Sequence, residues 1–530
     1  MALFFSFLIA MLVTMALIPP LIRVAGRWQI VDLPNERKVH LHAIPRVGGL
    51  AMAVGAMLPL LLWLWSSPQV IALLAGMAVI LAFGVWDDRV DLDYRLKFAG
   101  QSLAALIVWW AGVRVGYLPW IGELSPLWSL SCTVLALLAI TNAVNLADGL
   151  DGLAGGSTML SLTAIAVLGY MAGQVAVVLI ALAVMGSILG FLRFNTHPAR
   201  VFMGDGGSQF LGFATGVLVI ILTQGMDSPY SLSLPALLLG LPILDTAFVM
   251  VQRLREGRSP FSADRNHIHH RLLALGLDHY QAVSIIYVIQ ASLIITAYYL
   301  RSAADALILL CYALCCAAVI MTLAWAGTRS ARAVGAAPAA PVARMTPFGE
   351  RATRWGVTAT AVSLPAYLGI GSLFSGEPSV DIVWLAMILM AVLILFWRRR
   401  GRSIGWLERG VVYLAGALSL YLVQHAGLDG MWVLFGNGYF ALLAVTVVIA
   451  FRCSPDHHFV ATPLDFLVVF LAVVLPQVPG LEGSYVQGIT RLIVLFYAIE
   501  LVLARLRERG DWMRAATCGL LCMPLVRYLV

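Results

Sequence analysis

The chain has 530 residues, of which 61% are hydrophobic and only 12% charged. A soluble domain carries about 25% charged residues, so this composition excludes a soluble globule and fits a polytopic helical membrane protein. The net charge of +7 then bears on which way the loops face rather than on nucleic acid, which is not expected as a partner. Seven cysteines are scattered without a CxxC pair, and Cys311, Cys315 and Cys316 lie in an apolar run, where they read as small packing side chains.

The expected architecture is all-α, a polytopic transmembrane helical bundle. Apolar spans are placed near 3–22, 47–65, 69–86, 98–113, 128–144, 153–170, 174–192, 208–223, 233–252, 281–300 and 304–327. The first has no basic residue before Arg23, which argues for an uncleaved helix with its N-terminus outside. Alternating these eleven spans puts fifteen Lys and Arg residues in inside loops and only Arg114 and Arg301 outside, the asymmetry expected of a correct helix count. Residues 328–354 are rich in Ala, Pro and Arg and read as a cytoplasmic linker. About seven further spans follow, near 355–374, 379–397, 410–424, 431–451, 463–478, 485–504 and 513–529. In that half Asp456-His457-His458 stands out, and it reads as a solvated loop.

The dense polar motifs all fall on inside loops. After the first span, VDLPNERKVHLHAIPRVGG offers Arg37, Lys38, His40 and His42. Lys38 and Lys97 are the chain's two lysines, in a protein that uses arginine everywhere else. A compact ammonium suits a phosphate oxygen, whereas a loop needing charge alone has no reason to avoid arginine. Asp87 and Asp88 end the third span, where two carboxylates sit badly against both hydrocarbon and the helix dipole. Lys97 and Gln101 follow, four apart and hence on one helix face. Asn142, Asn145, Asp148 and Asp151 recur every three residues, so a helix or tight turn would give them a common face. Such a density of oxygen ligands suits Mg²⁺ or Mn²⁺. In FMGDGGS, Gly204, Gly206 and Gly207 are expected to free backbone N–H groups around Asp205 for phosphate or metal. Asp245 is an acid inside a span, a functional candidate by default. The run Arg253 to Gly276 carries Asp264, Arg265, His267, His269 and His270. Without a cysteine or fourth ligand in reach, it reads as a phosphate-binding loop rather than a zinc site.

Taken together, VDLPNERKVH…PRVGG, WDD, NAVNLADGLDGLAGG, FMGDGGSQFLG and DRNHIHH resemble the polyprenyl-phosphate N-acetylhexosamine-1-phosphate transferases, the MraY/WecA superfamily, over residues 1–327. The extension beyond residue 354 has no counterpart in that pattern. Ile268 interrupts the histidines, which argues against a muramyl-pentapeptide substrate and is similar to the branch acting on GlcNAc-1-phosphate or related amino sugars. The resemblance implies a reaction between a UDP-N-acetylhexosamine and undecaprenyl phosphate in the bacterial inner membrane. It would release UMP at a cytoplasmic site and start a cell-surface glycan such as O-antigen or common antigen. It implies Mg²⁺ or Mn²⁺ held chiefly by Asp205, with Asn145 or Asp148 assisting. Asp87 or Asp88 would orient or deprotonate the lipid phosphate, and Asp151 would lie near nucleotide or metal. Arg37, Lys38, His40, Lys97, Asn142, Asp264, Arg265 and the three histidines would hold substrate. A homodimer stays open, as does a covalent phospho-aspartate, although direct attack needs no nucleophile from the chain. The rival classes are a flippase for a lipid-linked sugar and a membrane scaffold of a glycan assembly complex. A flippase should place its polar groups at mid-membrane in paired broken helices; here they cluster at span ends.

Overall fold

The computed structural model describes residues 2–32, 43–225, 228–259, 266–332, 347–397, 406–426, 430–452, 484–505 and 510–529. It is a multi-pass helical membrane protein. Among the described residues, eleven helices are long and apolar enough to cross a bilayer. The chain divides into two compact units, one drawn from Met1–Pro338 and one from Ala339–Ala461 and Val468–Val530.

In the first unit, α1 (Ala2–Trp28), α2 (Gly48–Trp63), α3 (Pro68–Val90), α4 (Tyr94–Trp110) and α5 (Pro126–Leu146) precede α6 (Leu153–Met171), α7 (Val175–Asn195) and α8 (Gly204–Gln224). The last three are apolar on every side, with 94%, 89% and 94% of their spanning windows buried, so they form the centre of the bundle. α1 and α2 pack on α7, while α3 and α5 pack on α8. Small residues permit the close approach. Gly49 at the start of α2 meets Gly207 of α8, and a Cβ on Gly207 would lie 2.7 Å from Gly49 Cα. Backbone bonds from Gly48 to Phe202 (3.0 Å) and from Gly49 to Met203 (2.9 Å) tie the two helix starts together. Two short strands, β1 (Val31–Asp32) and β2 (Ile44–Pro45), pair antiparallel at the base of the loop between α1 and α2.

The span expected over 233–252 is not one helix. α9 (Pro235–Leu238) and α10 (Gly240–Arg255) are separated at Leu239. Pro242 lacks an N–H and its ring would clash with the Leu238 carbonyl one turn back. The freed groups find side chains instead. Gln290 of α12 (His279–Leu300) donates to Leu238 O at 2.9 Å and accepts from Leu241 N at 3.2 Å. Ser161 donates to the same carbonyl at 2.8 Å, and Tyr312 of α13 (Asp305–Arg332) donates to Gly240 O at 2.8 Å. Between α10 and α12 lies the short α11 (Ile268–Ala274).

The second unit contains α14 (Pro347–Leu373), α15 (Val380–Trp397), α16 (Trp406–Gln424), α17 (Gly430–Arg452), α18 (Ser484–Arg505) and α19 (Gly510–Leu529). α13 and α14 thus take in both ends of the stretch expected to be a linker. The span expected near 463–478 and the Asp456-His457-His458 motif lie outside the described residues. Ile382, Ala386, Leu389 and Leu393 recur at helical spacing on α15 and pack on Val411, Ala415, Leu418 and Leu422 of α16. Arg514 of α19 and Glu408 of α16 form a buried bidentate pair, with bonds of 2.8 and 3.2 Å.

Candidate active site

The site is built around the start of α8. Gly204 has φ +70°, and a Cβ there would collide with the Asp88 carboxylate. Glycine therefore lets Asp88, on the last turn of α3, reach the helix N-terminus. Both its oxygens are used: Asp205 N–H donates to Oδ1 at 2.9 Å and Gly206 N–H to Oδ2 at 3.1 Å. An anion is favoured there by the helix dipole and the exposed N–H groups. The expectation that these glycines present free N–H groups to phosphate or metal is thus corrected. Asp88 fills that position from within the chain and fixes where Asp205 stands. Gly207 serves packing against Gly49 instead.

Asp87 faces a different partner. Its Oδ1 accepts the Leu92 N–H at 2.7 Å, and its Oδ2 lies 2.6 Å from Lys97 Nζ. The same ammonium lies 3.1 Å from Asp205 Oδ2. Lys97 of α4 therefore sits between two carboxylates that belong to helices far apart in sequence. Gln101, one turn on, donates to Gln209 Oε1 at 3.0 Å, and Asn142 donates to Gln101 Oε1 at 2.7 Å. This amide network lies beneath the acids and braces α4, α5 and α8 against each other. Arg46 pairs with Asp32 and stands 3.9 Å from Asp88.

The Asn/Asp series does not keep one face, because α5 ends at Leu146 and the chain turns through Gly152 (φ +79°) into α6. Asn145 points at the acids: its Nδ2 lies 3.3 Å from Asp205 Oδ1 and 2.8 Å from Ser208 Oγ. Asp148 stands at the exposed rim. Desolvation and the carboxylates of Asp205 and Asp151 push its pKa up to about 7, against the opposing pull of Arg46. Asp151 turns away. It accepts from Ala199 N–H at 3.1 Å and pairs with His197 Nδ1 at 2.7 Å. His197 in turn stacks on His279 at 4.1 Å. Asp151, His197 and His279 hold ligand-type atoms within 4.8 Å of one another. His279 carried no signal in the sequence, since a lone histidine opening a helix forms no pattern.

Asp245 of α10 holds the histidine segment. Its Oδ1 accepts the Ile268 N–H at 2.7 Å, and its Oδ2 meets His267 Nδ1 at 2.8 Å, so it caps α11 and fixes His267 together. His269 is buried beneath Gly149, where any Cβ would strike its ring, and its Nε2 has no hydrogen-bond partner. Burial and the neighbouring His270 and His267 push its pKa down to about 3 despite Asp245. A phosphate contact through this imidazole would therefore be a hydrogen bond from a neutral ring rather than an ion pair. The three histidines do not form a metal-type cluster among the described residues. Arg37, Lys38, His40, Asp264 and Arg265 lie outside the described residues.

The class this arrangement defines is a membrane-embedded helical enzyme with an acidic, oxygen-lined site at the ends of its central helices. Residues 70–223 match the profile of glycosyl transferase family 4, a stretch that runs from α3 through α8. The chain is 37% identical over 304 residues to a Bacillus subtilis (strain 168) protein named "Probable undecaprenyl-phosphate N-acetylglucosaminyl 1-phosphate transferase", covering 56% of this chain and 85% of that one. A Mycobacterium tuberculosis (strain ATCC 25618 / H37Rv) protein named "Decaprenyl-phosphate N-acetylglucosaminephosphotransferase" is 37% identical over 319 residues, 53% of this chain and 78% of that one. An Escherichia coli (strain K12) "Undecaprenyl-phosphate alpha-N-acetylglucosaminyl 1-phosphate transferase" is 32% identical over 275 residues, 50% and 74% of the two chains. The chain belongs to glycosyl transferase family 4.

Proposed function

We propose that this protein transfers N-acetylglucosamine-1-phosphate from its UDP-sugar to undecaprenyl phosphate, releasing UMP at the cytoplasmic face of the bacterial inner membrane. In this reading the reaction belongs to residues 1–327, and the N-terminus lies outside. The observation that carries it is the gathering of Asp87, Asp205 and Asn145 around Lys97, with Asp148 at the rim. These groups come from four helices and a loop, and they meet at one place. The names of the relatives supply the sugar and the polyprenyl acceptor.

One phosphoanhydride breaks and one forms, so the chemical demand is to bring two anions together. Oxygen-only donors suit Mg²⁺ or Mn²⁺. The seat also fits a cation, since the Asp87 and Asp205 carboxylates already share an ammonium. Asp205, Asn145 and Asp148 would hold the ion, which when bound neutralises phosphate oxygens during transfer. Asp87 is held at Oδ1 and keeps Oδ2 toward the cluster, so it is the better placed of the acid pair to orient or deprotonate the lipid phosphate. Asp88 positions Asp205. Lys97 lends its ammonium to phosphate oxygens, with Arg37, Lys38, His40, Asp264 and Arg265 as further substrate-holding groups. Direct attack by the lipid phosphate suffices.

The test is UMP release with a panel of UDP-sugars and undecaprenyl phosphate, on the full chain and on one stopped near residue 340. Turnover with UDP-GlcNAc by both supports the reading. No UMP from any UDP-N-acetylhexosamine refutes it, and turnover by the full chain alone moves part of the function into the second unit.

A further inference from the structure

The second unit gathers donors that its own side chains do not satisfy. Arg491 of α18 is 8% exposed. Its Nη2 donates to Asn437 Oδ1 of α17 at 2.7 Å, and its guanidinium lies 5.8 Å from the Phe440 ring centroid. Its Nε–H has no acceptor. Tyr367 of α14 is 6% exposed and its hydroxyl is likewise without a partner. The Tyr367 ring is held between Trp432, at 5.9 Å and 4°, and Tyr439, at 4.7 Å and 18°. The Trp432 indole N–H is a third orphan. Hydroxyl and guanidinium are neighbours against Gly436 of α17, where a Cβ would lie 2.7 Å from Tyr367 Oη and 3.4 Å from Arg491 Nη2.

The inventory has a sign. An indole N–H and a guanidinium N–H only donate, and a phenol can donate. Among the described residues, the ion pairs of this unit are Arg409 with Glu500 and Arg514 with Glu408 and Asp511; none involves Arg491. A cation buried in a helix bundle without an acid beside it is costly, and a buried charge left unpaired is a candidate ligand site. The missing partner must be rich in acceptors and negatively charged. A phosphate satisfies a guanidinium and a hydroxyl together.

The surroundings point to a phosphate carried on a lipid. Asn437 is exposed on α17, and beside it Met431, Leu434 and Phe435 are 83%, 73% and 57% exposed, an apolar face suited to acyl chains. A largely apolar cleft is lined by Leu364 and Leu368, the first about one turn before Tyr367 and the second next to it, and by Ile499 and Val502, two to three turns beyond Arg491 on the same helix. We propose that Arg491, Tyr367 and Trp432 bind the phosphate of a lipid headgroup, with part of its hydrocarbon in this cleft. The site shares no residue with the acidic cluster of the first unit and does not depend on the reaction proposed there.

The test uses the full chain in phosphatidylcholine nanodiscs doped with a diazirine-bearing phosphatidic acid, or with the same probe carrying a choline headgroup. After illumination, adducts are mapped by mass spectrometry. The phosphate probe should label the segments around Tyr367, Trp432 and Arg491 at least tenfold above the choline probe. Arg491→Gln should remove that excess and Arg491→Lys should restore part of it. Labelling elsewhere on the chain should be unchanged, which reports that the variant is folded. If Arg491→Gln misfolds, Tyr367→Phe removes only the hydroxyl and should lower the excess several-fold. Loss of the excess on adding inorganic phosphate would assign the anion to a soluble source and overturn the lipid assignment. Equal labelling by both probes, or an excess that survives both Arg491→Gln and Tyr367→Phe, overturns the site itself.

Discussion

Both units bury charge among apolar helices, and they leave opposite imbalances. In the first, Asp87, Asp88, Asp148 and Asp205 gather around Lys97 and Arg46, so carboxylates are in excess. In the second, Arg491, Tyr367 and Trp432 leave donors in excess. The Glu408–Arg514 pair in that same unit is balanced and bidentate. Burial of charge alone therefore does not mark a site in this protein. A residue of one sign left over after internal pairing does, because only a ligand can settle it.

The comparison is broken most directly at Asp205. Asp205→Ala should lower UMP release by about 10³-fold or more, at any Mg²⁺ concentration. Thermal stability should hold, because the change lifts repulsion among acids that share one lysine. Near-wild-type turnover would take Asp205 out of the machinery. The balanced pair should behave in the opposite way. Glu408→Ala removes the bidentate carboxylate from a buried guanidinium that keeps its bond to Asp511 and should cost up to about 3–5 kcal/mol, read as a fall in melting temperature, while UMP release per folded molecule stays unchanged. A silent Glu408→Ala would mean that water or lipid already screens the pair.

A smaller effect separates a tightly packed glycine from one with open space around it. Gly207→Ala pushes a Cβ to 2.7 Å from Gly49 Cα and should cost about 1–3 kcal/mol as overpacking. Gly26→Ala, with nothing within 4 Å of its Cβ, should be neutral or slightly stabilising. Equal melting temperatures for the two variants would contradict the close approach of α2 and α8. The smallest effect is a pH slope from His269. It stays neutral in the folded protein down to about pH 3, whereas the unfolded chain binds that proton near pH 6.5. The unfolded state thus holds more protons between these values. Stability is full above about 6.5 and declines as pH falls, by up to about 1.4 kcal/mol per unit. Because the raised pKa of Asp148 contributes the opposite slope over this range, the decline is read as the difference in melting temperature between wild type and His269→Gln from pH 7.5 to 5.

Much of the first unit was legible in the chain. Hydropathy placed a single helix at ten of the eleven expected spans, the ninth being broken at Leu239, and Lys97 and Gln101, four apart, do project together into the acid and amide network. Asp87 and Asp88 read alike in sequence, yet one caps α8 and the other faces Lys97. Adjacent helical residues point about 100° apart, so their neighbours, not their type, set their roles. Asp245 was visible as an acid in a span, but its task of capping α11 depends on a loop that returns 22 residues later. The donors around Arg491 were missed because they sit singly on three helices and form no local motif.

By itself, the order of residues determined that this is a many-helix membrane protein and which polar stretches carry its chemistry. Those properties depend on composition and short-range spacing, which a bilayer reads directly as helix length and position. Only the tertiary structure decided which carboxylate caps α8 and which faces Lys97, where the ninth span breaks, and which buried donors gather around Arg491. Each of these follows from contacts between segments tens to hundreds of residues apart, where side-chain direction and the satisfaction of buried polar groups replace local pattern as the governing physics.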